Sequence, residues 1–224
     1  MKTLALLHTG PVVITPINNI VRLLMPSLRV VNLMDDSIVS EIFRENRINA
    51  EVLERLDHMA RSAVAAKAEA IVITCSSISE MADPLAKATG LPVYKIDEGM
   101  AEEAVRCGAR IGVLATLPTT LLPTCRLLEQ KARELKKTVT LHRELCQDAF
   151  EELSRGNAEA HDQILRDAIE RMAGTQDVIV LAQASMARLL EGRQSSFATP
   201  VLASPLLGIT RVREQLQARG MFRN

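Results

Sequence analysis

The feature that most constrains this chain is that it repeats itself at a nearly constant displacement. "LLHTGPVVITP" (6–16) lies on "VLATLPTTLLP" (113–123) at an offset of 107, pairing Thr9 with Thr116, Pro11 with Pro118 and Pro16 with Pro123. "AIVITCSSISEM" (70–81) lies on "VIVLAQASMARL" (178–189) at an offset of 108, pairing Ile71 with Ile179, Val72 with Val180 and Ser77 with Ser185. "LPVYKIDE" (91–98) falls on "TPVLASPL" (199–206) at the same 108. Between them, "NLMDDSI" resembles "ELCQDAF" at a slightly larger offset that sets Asp36 against Asp148. A displacement shared by several separated stretches indicates two copies of one structural unit.

Each copy alternates between two periodicities. Short β-branched or Leu-rich runs at 4–8, 28–33, 70–74, 92–96, 110–115, 139–145, 178–182 and 200–204 predict strands. Segments of helical period at about 15–25, 49–67, 78–88, 98–107, 120–136, 158–173, 186–191 and 206–219 predict helices. The alternation predicts an α/β fold of two pseudo-symmetric halves, each a mainly parallel sheet flanked by helices. The expected boundaries are 1–97 for the first half and 98–205 for the second, with a C-terminal helix in 206–224 packing back on the first. Ligands of open parallel sheets bind beyond the carboxyl ends of the strands. The site is therefore expected in a cleft between the halves, lined by 8–12, 35–37, 75–77, 115–120, 146–148, 183–185 and 204–205.

Composition removes several classes of function. Twenty-seven Lys and Arg balance 27 Asp and Glu, and there are only one Tyr and four Phe, so neither a basic footprint nor a stacking platform for nucleic acid is present. No apolar run approaches the roughly 20 residues of a membrane span, and "MKTLALLHTGPVV" lacks a cleavable leader pattern. A cytoplasmic protein without a membrane partner is expected. The four cysteines, Cys75, Cys107, Cys125 and Cys146, lack C-x-x-C spacing, so any thiol that matters acts singly. His142 and His161 have no partners at metal-ligand spacing and His58 sits on a charged helical face, so no metal is expected. Dinucleotide-binding, P-loop and nucleophile-elbow motifs are absent. Apolar helix faces allow a homodimer, although nothing specifies one.

The strand ends carry the chemistry. Cys75 follows "IVIT", and Ser77 to Glu80 has the S-x-x-E form of a capping box, which would set Cys75 just outside a helix N-terminus. Such an end favours a carboxylate and draws a thiol down from about 8.5 toward thiolate. Cysteine is also a common buried filler, and chemistry alone leaves the two readings level. Thr9, Thr116, Thr119 and Thr120, with Ser76 and Ser185, place small hydroxyl donors at matching strand ends. Singly each fits a turn or cap; their pairing across the repeat suits carboxylate oxygens. His8 ends the first strand, where a histidine can titrate near neutrality or serve as a hydrogen-bonded structural group. Asp36 is expected near the cleft, also in keeping with a helix cap. Cys107 and Cys125 fit packing roles, whereas Cys146, near the end of a second-half strand, could reach the cleft.

Two α/β halves with a cysteine after the third strand and hydroxyls around it resemble the aspartate/glutamate/hydantoin racemase superfamily over nearly the whole chain. The resemblance implies a small carboxylic acid substrate, no cofactor, and thiols that move a proton at the carbon beside the carboxylate. The family's first motif, C-N-T, is matched by Cys75-Ser76-Ser77; its second, G-C-T, is matched by Ala182-Gln183-Ala184-Ser185, with Gln183 where the second thiol stands. A carboxamide is neither a base nor an acid near neutral pH, so symmetric two-thiol racemisation is not expected. His8 stands where amino-acid racemases often carry an acidic residue followed by Ser. By the resemblance, Cys75 is the acid/base or nucleophilic thiol and Gln183 orients substrate. Thr9, Ser76, Ser77, Thr116, Thr119 and Ser185 hold carboxylate oxygens. Three functions remain open: an isomerase or racemase, with Cys146 as a displaced second thiol in one version; a one-thiol decarboxylase of a substituted malonate-like diacid, similar to arylmalonate decarboxylases; and a non-catalytic small-acid binder.

Overall fold

The computed structural model describes residues 1–192 and 197–221. Its elements run β1 (Thr3–His8), α1 (Ile14–Leu24), β2 (Arg29–Met34), α2 (Ser37–Glu45), α3 (Ala50–Ala65), β3 (Ala70–Ile73), α4 (Ala82–Thr89), β4 (Val93–Lys95) and α5 (Glu98–Cys107). They continue with β5 (Arg110–Ala115), α6 (Pro118–Glu134), β6 (Thr140–Leu145), α7 (Gln147–Ser154), α8 (Ala158–Met172), β7 (Val178–Leu181), β8 (Val201–Ala203) and α9 (Ser204–Ala218). The chain forms two compact units, one of Met1–Gly99 with the segment from Pro205 onward, the other of Met100–Ser204.

In the first unit the sheet order is β2-β1-β3-β4, with every pair parallel. β1 and β3 are central and buried along their whole length, which is why their sequences are near-continuous apolar runs. Successive side chains face opposite sides of the sheet. Ala5, Leu7, Ile71 and Ile73 therefore pack with Ile38 and Ile42 of α2, Leu56 of α3 and Leu85 of α4. Leu4, Leu6, Ala70 and Val72 pack with Ile17 and Val21 of α1 and with Ile209, Val212 and Leu216 of α9. The approach of α9 is close: a Cβ on Gly208 would lie 2.7 Å from the Ile96 carbonyl carbon and nearer still to its oxygen, so only glycine fits there.

The second unit repeats the design, with a parallel sheet in the order β6-β5-β7-β8. Leu114, Ile179 and Leu181 face Leu165, Ala168 and Ile169 of α8 and Ala149 of α7. Residues 222–224 of the expected C-terminal segment lie outside the described residues. No helix among the described residues is long and apolar enough to cross a membrane.

All eight expected strands are present, and the fold is α/β as the pattern predicts. Two helices, α2 and α7, lie outside the predicted segments: each is only two turns long, too short for a pattern to accumulate, and each buries only one or two residues, against the core beneath its sheet. The expected helix at 186–191 is a 3-10 turn, Ala184–Leu190. The pairing of Asp36 with Asp148 is corrected by the ladder. Asp35 N donates to His8 O (3.1 Å) where Cys146 N donates to Ala115 O (2.8 Å), so Asp35 corresponds to Cys146 and Asp36 to Gln147.

Candidate functional site

In the first unit the strand register brings the site together. Leu7 pairs with Ile73 and Ile73 with Lys95, so the register continued two residues outward sets Thr9, Cys75 and Asp97 side by side. Neighbouring strands lie about 4.8 Å apart and residues in register point to the same face. Cys75 has extended backbone (φ −125, ψ 123) and leads into a 3-10 turn, Ser76–Met81, in which Ile78 N donates to Cys75 O (3.2 Å). The capping box expected at Ser77 does not form. Ser76, Ser77 and Ser79 are buried inside that turn, and α4 begins only at Ala82.

This local geometry reverses the expectation for the thiol. A six-residue 3-10 turn does not carry the aligned amide array of an α-helix that would favour thiolate. Cys75 keeps a partly exposed face, yet burial pushes its thiol up. The Thr9 hydroxyl, the Ser77 N–H and the Ser77 hydroxyl pull it down by less, and the negative charge of Asp97 pushes it further up. The Ser77 hydroxyl has no full hydrogen-bond partner and acts on the sulfur only as a weak polarising contact. Cys75 is therefore a protonated thiol at neutral pH.

His8 is fully buried, and both ring nitrogens are engaged by Asn32 Oδ1 (Nε2, 2.9 Å) and Thr74 Oγ1 (Nδ1, 2.8 Å). Burial lowers its pKa, with the Asn32 contact opposing, so the ring is neutral. Thr74 Oγ1 also lies 2.8 Å from Leu7 O, and its one hydroxyl proton serves either that carbonyl or the His8 ring, so both ring nitrogens are held by protein groups in either tautomer. His8 thus ties β1 to β2 and β3 and has no nitrogen left for a ligand, contrary to the expectation that it binds substrate. Asp36 likewise departs from expectation. It is exposed, makes no capping bond, and lines a shallow hollow with Arg55, His58 and Ser62, a different set of residues from those around Cys75. Its neighbour Asp35 does the capping instead, accepting from Ser37 N (3.2 Å) and Ser37 Oγ (2.8 Å) and pairing with Arg55 Nε (2.8 Å).

The sequence reading missed Asp97. Two residues past β4, it is 1% exposed, and its Oδ2 accepts from Ser79 Oγ (2.8 Å) while Oδ1 has no hydrogen-bond partner. Burial raises its pKa, with Ser79 the main opposing contact. The available signal was a carboxylate directly after a strand, "PVYKID", where the repeat has Pro205.

The second unit shows the counterpart. Ala182 N donates to Leu114 O (2.9 Å) as Thr74 N donates to Leu7 O (3.0 Å), which makes Gln183 the equivalent of Cys75; its backbone (φ −124, ψ 134) is nearly the same. Gln183 Oε1 accepts from Thr116 N (2.8 Å) and Thr116 Oγ1 (3.0 Å). A backbone N–H can only donate, so the atom facing it is the amide oxygen. Gln183 Nε2 makes no hydrogen bond among the described residues. Thr120 spends its hydroxyl on Leu117 O (2.9 Å), a turn bond, whereas the Thr119 hydroxyl is buried without a partner. Ser185 is partly exposed within the 3-10 turn. Cys146 is not poised as a second thiol: it packs in the core beside Leu114 and Ala149, and burial, with Glu144 adding to it, pushes its thiol up to about 11. No group of three or more His, Cys, Asp or Glu among the described residues could hold a metal ion.

These features define a class: a two-unit α/β protein with four-stranded parallel sheets and a hydroxyl-flanked thiol beyond the third strand. Comparison with curated protein sequences gives no match. The family model for Asp/Glu/Hydantoin racemase matches residues 13–212, and the chain belongs to that family. Among solved structures it is similar to a glutamate racemase from Bacillus anthracis, with 18% identity, TM-score 0.74, and coverage of 100% of this chain and 84% of that one. It is similar also to a glutamate racemase from Francisella tularensis solved with D-glutamate (14% identity, TM-score 0.73, 100% and 84% coverage). An aspartate racemase from Picrophilus torridus gives 13% identity, TM-score 0.73, and 98% and 95% coverage. At these identities the likeness shows the shared fold.

Proposed function

We propose that this protein is a cofactor-independent enzyme of racemase type that moves a proton at the carbon beside the carboxylate of a small acid, with Cys75 as the proton carrier. Membership of the family supports an isomerase or racemase activity, and the structural relatives include glutamate and aspartate racemases. The observation that carries the reading is the matched pair of strand ends, Thr9 beside Cys75 in one unit and Thr116 beside Gln183 in the other.

In this reading the Cys75 thiol delivers a proton to the carbanionic carbon and its thiolate takes one away. Gln183 holds a substrate oxygen through Nε2, because its own oxygen is committed to Thr116. The unpartnered hydroxyls of Ser76, Ser77 and Thr119 are the donors available to carboxylate oxygens. A lone thiol reaches the carbon from one side, so exchange of the Cα proton in deuterated water is expected to outrun loss of optical activity. The test is incubation of D- and L-glutamate, D- and L-aspartate and substituted malonates in deuterated water, followed by mass spectrometry and chiral chromatography. Cα exchange that disappears in Cys75→Ala supports the assignment. A Cys75→Ala protein that exchanges a true substrate as fast as the parent sinks it. Release of carbon dioxide with one product enantiomer would move the reaction to decarboxylation.

A further inference from the structure

A buried carboxyl group stands beside the reactive thiol. The ladder pairs Ile73 with Lys95, and Ile96 N donates to Ile73 O (3.0 Å), so the strands are still in register where Cys75 and Asp97 follow. Cys75 follows β3 by two residues and Asp97 follows β4 by two, in the turn before α5, and the charge of Asp97 is felt at the Cys75 sulfur. An ionised carboxylate offers about four acceptor positions, yet Asp97 receives a single full hydrogen bond, from Ser79, and its Oδ1 is buried without a partner. The Ser76 hydroxyl, 2% exposed, also lacks a full partner and lies close enough to Asp97 to polarise it weakly.

We propose that Asp97 is a positioning residue that governs the proton on Cys75: the two acids, side by side at the ends of β4 and β3, hold one negative charge between them. Two acids in one buried row do not both ionise readily, and they titrate as a pair. While Asp97 carries the charge, Cys75 stays a thiol, able to donate. A substrate carboxylate that enters adds a second negative charge and favours uptake of a proton from solvent by Asp97, so that the thiol again faces a single charge. The surrounding charged and titratable groups are consistent with one shared charge. Lys95 on β4 draws Asp97 toward carboxylate. His8 at the end of β1 is neutral. Glu80 near the end of the 3-10 turn is exposed, and Glu98 at the start of α5 is half-buried. Burial raises the pKa of both acids, in keeping with this arrangement.

The inference rests on Cys75 being the reacting thiol, but its test needs no substrate, so it stands or falls apart from the proposed reaction. The rate of Cys75 alkylation by iodoacetamide, read by peptide mass spectrometry between pH 6 and 10.5, reports thiolate formation. The exposed Cys107 serves as internal control. The parent is expected to show a Cys75 midpoint above the ordinary value of about 8.5. Asp97→Asn, which keeps an acceptor for Ser79 while removing the charge, is expected to lower that midpoint by about one unit, a roughly tenfold faster reaction at pH 7.5. Asp97→Ser should act likewise, and Asp97→Glu should keep the midpoint high. A merely structural role would speed all four cysteines together without moving the Cys75 midpoint alone. The proposal is overturned if folded Asp97→Asn retains the parent midpoint, or if the parent itself titrates below 8, a result that needs no variant.

Discussion

In the proposed reading Gln183 carries two separable duties, and a pair of substitutions should divide them. Its Oε1 accepts both the backbone N–H and the hydroxyl of Thr116, a residue only 2% exposed. Gln183→Leu preserves bulk but leaves both donors without an acceptor. A buried unsatisfied donor costs about 1–3 kcal/mol. The hydroxyl can rotate in search of another acceptor whereas the N–H cannot, so the summed loss should be about 2–3 kcal/mol. For a chain of this size each kcal/mol lowers the melting temperature by about 2–4 °C, which places the expected drop at about 4–12 °C. Gln183→Glu keeps an acceptor for both Thr116 donors and should melt within about 2 °C of the parent. It nevertheless loses the Nε2 donor and adds a negative charge toward the acid substrate. Both variants should therefore lose Cα exchange, while only the leucine variant loses stability. Thermal denaturation followed by circular dichroism, beside the deuterium-exchange assay, separates the outcomes. A leucine variant as stable as the parent would refute the buried-donor argument, and undiminished exchange in the glutamate variant would refute the role assigned to Nε2.

Two further predictions concern the frame around the site. Gly208→Ala needs α9 to retreat from the Ile96 backbone by more than the ~0.8 Å that a carbon–carbon contact of ~3.5 Å requires, because the Ile96 oxygen is closer still. The expected cost is about 1–3 kcal/mol, whereas Gly10→Ala, with open space and an extended backbone, should be nearly neutral; parallel urea titrations measure both. Asp177 accepts from Arg110 and the Ala109 N–H, and the Arg110 contact holds its carboxyl at about 2. A depressed carboxyl contributes stability above its unfolded value of about 3.9 that is lost as pH falls toward 2, so Asp177→Asn should flatten stability between pH 5 and 2, as seen in denaturant midpoints across that range.

Much of the fold was legible because the signals that encode it are local or repeated. The inner strands are apolar on both faces, so "LALL" and "AIVI" announce themselves, and the displacement of 107 to 108 residues announces the second copy. The two-turn helices α2 and α7 were not legible, since nine and eight residues give too little periodicity to rise above the loops beside them. Among the candidate site residues, the matched strand-end positions of Cys75 and Gln183, and of Thr9 and Thr116 beside them, were legible from the repeat. The side chains that occupy His8, and the core that absorbs Cys146, could not, because Asn32, Thr74 and Leu114 come from other strands.

The sequence by itself determined that there are two α/β units, which strand ends match, and that a thiol in one is answered by a carboxamide in the other. These follow from periodicity and internal repetition, which need no partner distant in the chain. Only the tertiary structure decided the electrical state of those groups. Whether Cys75 is thiol or thiolate depends on a turn that is 3-10 rather than α, on burial, and on Asp97, 22 positions away in sequence but next to it in register. Ionisation is set by everything within a few ångströms, and only the folded sheet specifies what that is.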